Sequence, residues 1–211
     1  MIKPAHPHPT KKGLLIVLSG PSGVGKDTVL SLYLQQERNC ALSVSATTRS
    51  PRPGEEDGRD YHFISREKFG ELVAKGEMLE YAQYGDNLYG TPKGAVEKQL
   101  DTGKNVILEI EVQGAMKIKK LRPDAVLVFI MPPSWDALCQ RLQNRGTETP
   151  ESLEHRLAAA ELEMRGAKDY EYILINDDAR TCGGNLAAVI TAAGFSNRNM
   201  MQYVEEVSIH A

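Results

Sequence analysis

Long apolar runs are missing from this 211-residue chain. No stretch approaches the about 18–20 consecutive apolar residues of a membrane-spanning helix, and the start has no apolar signal core, so a cytoplasmic protein is expected. Charge of one sign is scarce as well. The formal net charge of −3 gives no extended basic field, which argues against a nucleic-acid binder and leaves any phosphate recognition to local groups. Cysteines number three. Cys40, Cys139 and Cys182 lie far apart with no C-x-x-C pair, so they read as free thiols in a reducing compartment rather than as a zinc or redox site. Repeats and low-complexity tracts are lacking beyond the proline-rich opening MIKPAHPHPTKK, residues 1–12, which reads as a flexible tail whose His6 and His8 have no third metal ligand nearby.

What remains is an ordinary globular composition, 41% hydrophobic and 25% charged, in a chain long enough for one core with inserted lobes. Short apolar runs alternate with helical patterns. LLIVLS (14–19), NVILEIE (105–111), AVLVFIM (125–131) and YILIN (172–176) read as strands buried on both faces, and LSVSATT (42–48) as one more strand of the same sheet. DTVLSLYLQQ, VQGAMKIKKL, SWDALCQRLQNR with Ser134 as N-cap, and the segment after Asp178 read as helices. The fold class is therefore α/β: a parallel sheet flanked by helices. Two inserts interrupt it. One carries the loop RSPRPGEEDGRD, the short strands YHFIS and MLEYAQY and the helix EKFGELVAK, and reads as a mixed or antiparallel lobe. The other begins near Gly146, with Thr149 and Pro150 starting a helix over ESLEHRLAAAELEMR.

The most specific local signal is GPSGVGKDT, Gly20 to Thr28. It satisfies G-x-x-x-x-G-K, leaves an apolar strand and enters a helix, which is the context a phosphate-binding loop requires. Gly20, Pro21, Ser22, Gly23, Val24 and Gly25 would wrap backbone N–H groups around a nucleotide phosphate, and Lys26 would bring a point charge to the transferred group. The G-x-G-x-x-G spacing of dinucleotide-binding loops is not present. Asp27 stands where the motif asks for Ser or Thr. In the first helical turn a carboxylate is favoured by the macrodipole; beside a bound triphosphate it needs a cation, so Mg2+ is a candidate ligand for Asp27, with the hydroxyl of Thr28 as the alternative.

SVSATTRSPRPGEEDGRDYHFIS with GEMLEYAQYGDNLYGTP, then LEIEVQGA, then RLQNRGTETPESLEHRL closely resemble, in order, the acceptor region and later segments of guanylate kinases, from about Gly13 to about Asp178. The resemblance implies a nucleoside-monophosphate kinase fold: core 13–48, 92–145 and 169–195, a GMP-binding lobe 49–91, a lid 146–168 and a C-terminal tail 196–211. It also implies ATP-dependent phosphorylation of GMP, and of dGMP, with Mg2+ as cofactor. By the family's pattern Arg49, Arg52, Tyr61 and Tyr89 hold the acceptor's phosphate, while Ser45, Thr91 and Glu109 line the base pocket. Arg49 and Arg52, three apart, can fork onto such a phosphate. Glu80 can accept together the two adjacent donors of guanine, which adenine lacks. Thr91 also suits the N-cap of a helix after Pro92.

Glu109 and Glu111, two apart on a strand, point to one face at its C-terminal end, where arginine, guanine or Mg2+ would each satisfy them. The family more often carries Asp at the second position. In the lid, Arg141, Arg145 and Arg156 match the basic residues that close over the triphosphate, and Asn176 in NDD matches the segment near the donor adenine. No general base is required, because a phosphate monoester with a second pKa of about 6 is already an anion near neutrality. Two rivals share parts of the pattern. Guanylate-kinase-like scaffolding modules lose the loop glycines and lysine that this chain keeps, and kinases of phosphorylated ribose need neither Glu80 nor the Tyr81 to Tyr89 spacing.

Overall fold

A computed structural model describes residues 12–144 and 150–208. In chain order the first part contains β1 (Leu15–Ser19), α1 (Lys26–Gln36), β2 (Cys40–Leu42), β3 (Ala46–Thr47), β4 (His62–Phe63), α2 (Arg66–Ala74), β5 (Met78–Tyr84) and β6 (Asn87–Pro92). There follow α3 (Lys93–Asp101), β7 (Asn105–Glu109), α4 (Val112–Leu121), β8 (Val126–Met131), α5 (Trp135–Gln143), α6 (Pro150–Arg165), β9 (Tyr172–Ile175), α7 (Ala179–Gly194) and α8 (Asn197–Ser208).

Five strands form the core sheet in the order β2-β7-β1-β8-β9, and every pairing is parallel. Strand alternation divides the apolar side chains between two layers. On β1, Ile16 and Leu18 join Val29, Tyr33, Leu186 and Ile190 of α1 and α7. Leu15 and Val17 pack instead with Val96, Leu100, Ala115 and Ile118 of α3 and α4. Burial on both faces is why β1 and β8 read as unbroken apolar runs. β1 sits in the middle of the sheet, and its C-terminal end is tied down by the Ser19 hydroxyl donating to Ile110 O at 2.6 Å.

The second sheet runs β4-β3-β6-β5. It is mixed rather than antiparallel throughout: β3 pairs in parallel with β4, whereas β6 pairs antiparallel with both β3 and β5. The expectation that LSVSATT forms one core strand is corrected here. The core takes Cys40–Leu42, and Ala46–Thr47 crosses to the lobe's sheet against Gly90 and Tyr89. An apolar-polar run carries no label for which sheet it joins, and residues 43–45 lie in neither strand. A second correction concerns NVILEIE: β7 ends at Glu109, and Glu111 is the N-cap residue of α4. Ser134 caps α5 through Ala137 N–H at 3.1 Å, as its position implies.

Phe129 is fully buried in the second core layer, edge-on to Tyr170 with ring centroids 5.0 Å apart. Phe129→Ala should lower the unfolding free energy by about 3–5 kcal/mol, measured by urea denaturation, through lost transfer energy and an unfilled cavity.

Candidate active site

The loop between β1 and α1 turns on two glycines with positive φ, Gly23 at 83° and Gly25 at 92°. Neither position has room for a side chain. A Cβ on Gly23 would stand 2.6 Å from Leu142 Cδ2, and one on Gly25 would stand 2.8 Å from Asn176 Nδ2. The loop is braced from behind at one atom: Val24 O accepts from Asn176 Nδ2 at 2.7 Å and from Arg141 Nη1 at 3.2 Å. Arg141 also donates to Asn176 O at 2.9 Å. Lys26 folds over the loop and donates to Gly20 O at 2.8 Å.

A cavity of about 400 Å³ opens in front of this loop. Gly20, Ser22 and Lys26 form one wall, Ser45, Tyr61, Glu80 and Tyr89 of the lobe form another, and Glu109, Glu111 and Arg156 also line it. The residues expected from sequence to serve donor and acceptor are thus brought around one space. Others stand behind it. Pro21, Val24, Gly25, Asn176 and Arg141 build or brace the loop, and Asp27 and Thr28 are exposed on the first turn of α1. Arg145 lies outside the described residues.

Glu80 is only 8% exposed. Its Oε1 accepts from the Thr91 hydroxyl at 2.8 Å, and burial raises its pKa while Thr91 and Lys117 counter that effect. Oε2 faces Gly114, whose missing Cβ would approach it to 3.0 Å. Thr91 is therefore not the N-cap of α3. Pro92 occupies that position, and the Thr91 hydroxyl is spent on the buried carboxylate.

Arg49 lies beside the cavity. Its Nη1 and Nη2 each donate to Glu55 at 2.9 Å, and its guanidinium stacks on Tyr61 at 5.4 Å and on Phe63 at 5.7 Å. Tyr61 and Tyr89 meet edge to face with centroids 6.0 Å apart. Arg52 presents its backbone N–H to Glu55 Oε2 at 2.7 Å and keeps its side chain exposed.

Acids dominate the core side. Burial raises the Glu109 carboxyl above the ordinary carboxylate range, Lys26 opposes the shift, and the neighbouring Asp27 adds to it. Among the described residues no cluster of three or more His, Cys, Asp or Glu forms a protein-only metal cage. The Asp27–Glu109 pair is an oxygen-only donor set of the kind that holds Mg2+ together with substrate phosphates.

Glu55 and Glu163 were not anticipated. Glu163 of α6 lines the cavity, its Oε2 is buried without a hydrogen-bond partner, and burial raises its pKa against the pull of Lys26 and the Ser22 N–H. Helical spacing marks Glu163 only as one acid among several on α6. Glu55 is one of several charges in a loop, and only the folded loop turns it toward Arg49.

Glu55 has its carboxyl held down to about 2, chiefly by the Arg49 hydrogen bonds and then by the Arg52 N–H. A carboxyl depressed in the fold stabilises it above the ordinary carboxylate range and loses that contribution as pH falls toward 2. Thermal unfolding below pH 4.5 should therefore depend less on pH in Glu55→Gln than in the parent chain.

Residues 12–193 match the family model described as guanylate kinase. A guanylate kinase of Clostridioides difficile is 50% identical over 182 residues, covering 86% of this chain and 89% of the relative. One from Lactococcus lactis is 46% identical over 198 residues, 93% of this chain and 97% of the relative. The crystal structure of guanylate kinase from Anaplasma phagocytophilum aligns with a TM-score of 0.73 at 34% identity, covering 88% of each chain. A glycine-rich loop and a buried carboxylate around one cavity thus accompany similarity along almost the whole sequence, and the chain belongs to the guanylate kinase family.

Proposed function

We propose how the residues of this ATP:GMP phosphotransferase divide the work of converting GMP and ATP to GDP and ADP. The observation that carries the reading is the single cavity joining the phosphate loop at Gly20, Ser22 and Lys26 to the buried Glu80. ATP lies with its phosphates in loop 20–25 and against Thr28, and its adenine lies toward Asn176. GMP enters from the lobe. Glu80, fixed by Thr91, accepts the ring N–H and exocyclic amine of guanine. Ser45 completes the base pocket, and Glu109 borders it from the core side. Arg49, Arg52, Tyr61 and Tyr89 hold the acceptor's phosphate in line. The contacts assigned go to base and phosphate, so dGMP is a substrate too.

Transfer proceeds through a loose transition state in which alignment and charge neutralisation do most of the work. Lys26 releases Gly20 O and moves onto the transferred group. Arg156 approaches from the lid, residues 146–168, while Arg141 keeps the loop rigid from behind. Lid closure over the core and the lobe excludes water that would otherwise hydrolyse ATP. Asp27, with Glu109 beside it, would hold Mg2+ together with the substrate phosphates, and the ion's contribution when bound is to neutralise phosphate charge; among the described residues Glu111, at the head of α4, does not join them in a three-acid cluster. Free thiols at Cys40, Cys139 and Cys182 fit a reducing cytoplasm. Among the described residues no helix is long and apolar enough to cross a membrane.

Glu80→Gln should lower kcat/KM for GMP by about 100-fold without creating comparable turnover of AMP, because an amide presents guanine with a donor where an acceptor is needed. Initial rates with each acceptor measure this. Asp27→Ser should raise the Mg2+ concentration for half-saturation of the ATP complex by roughly tenfold, read by calorimetric titration. An unchanged titration would remove Asp27 from the metal site.

A further inference from the structure

We propose that Glu55 is a positioning residue for the acceptor's phosphate, orienting the guanidinium of Arg49 and the main chain of Arg52 with one carboxylate. The inference rests on the reading that Arg49 receives that phosphate. A guanidinium has five N–H donors in a fixed plane. In Arg49, Nη1 gives one to Glu55 Oε2 at 2.9 Å and another to Ser50 O at 2.7 Å, and Nη2 gives one to Glu55 Oε1 at 2.9 Å. The end-on edge is therefore consumed. The Nε–H and the second N–H of Nη2 remain, side by side along the next edge, and such a parallel pair matches two oxygens of a phosphate. Glu55 thus does not compete with the ligand. It takes the edge that leaves the side-on fork open.

Two further contacts set the plane of that fork. The guanidinium lies over Tyr61 and Phe63. The carboxylate is itself held by the Arg52 N–H at 2.7 Å. Both side chains are shielded, with Arg49 at 15% and Glu55 at 19% exposure, so solvent does not loosen the pair as it would at an open surface. Without Glu55 the guanidinium keeps its charge and its rings but loses its rotational setting, and the order of Arg52 goes with it.

The test compares GMP with guanosine, which shares the base and sugar but lacks the phosphate. GMP affinity is read by calorimetry and guanosine affinity by NMR titration, on the full chain and on Glu55→Gln, Glu55→Asp and Arg49→Met. Glu55→Gln should weaken GMP by roughly tenfold or more while guanosine binds as in the parent, a range set by the strength of charge-assisted hydrogen bonds. Glu55→Asp, which keeps the charge with shorter reach, should recover part of the loss. Unchanged GMP binding in Glu55→Gln, or equal losses for GMP and guanosine, would overturn the assignment. If Arg49→Met weakens GMP but Glu55→Gln does not, the role of Glu55 alone fails. If Arg49→Met also binds GMP normally, the reading of Arg49 fails with it.

Discussion

The tie between the phosphate loop and the end of the last core strand is the constraint on which the rest of this structure depends. Val24 O receives both the Asn176 carboxamide and the Arg141 guanidinium, so the loop, β9 and α5 share one atom. The left-handed glycines at 23 and 25 allow that close approach, since a Cβ at either would meet a neighbour within 3.0 Å. With the back of the loop fixed, its front can present N–H groups and the N-terminus of α1 to an anion. Arg141 thus acts as a brace for the loop rather than as a wall of the cavity.

In front of that brace, the cavity collects acids, one buried and two half-buried. Glu80, Glu109 and Glu163 each have a pKa raised foremost by burial, and Lys26 faces two of them. Such carboxyls are costly to ionise without partners. On the proposed reading the ligands supply those partners: guanine brings two donors to Glu80, and Mg2+ brings positive charge to the Asp27–Glu109 pair. Arg49 stands on the lobe side, held against aromatic rings by Glu55. Discrimination and catalysis are then both matters of charge placement, in keeping with phosphoryl transfer to an acceptor that needs no deprotonation.

Much of this was legible in the sequence, for reasons that can be named. Strands buried on both faces leave apolar runs, so β1 and β8 stand out in LLIVLS and AVLVFIM; YILIN marks β9 as a strand, but as the edge of the sheet it leaves Ile173 and Ile175 exposed rather than buried. MLEYAQY and VQGAMKIKKL coincide with β5 and α4. What was not legible depends on distant contacts. Ala46–Thr47 belongs to the lobe because Tyr89 and Gly90 pair with it, forty-odd residues along the chain. Thr91 looked like a helix cap until Glu80, on the adjacent strand, claimed its hydroxyl. Glu55 and Glu163 gave no local signal, since an acid in a charged loop or on an amphipathic helix is by default a solvated one.

The central claim is that one cavity couples an intact phosphate loop to a guanine-selective pocket. The most direct test is ADP formation from ATP with GMP, AMP, CMP, UMP or ribose 1,5-bisphosphate as the acceptor, each across a Mg2+ series. The account predicts Mg2+-dependent turnover with GMP and little with the others. Comparable turnover with AMP, or none with GMP despite measurable GMP binding, would contradict it.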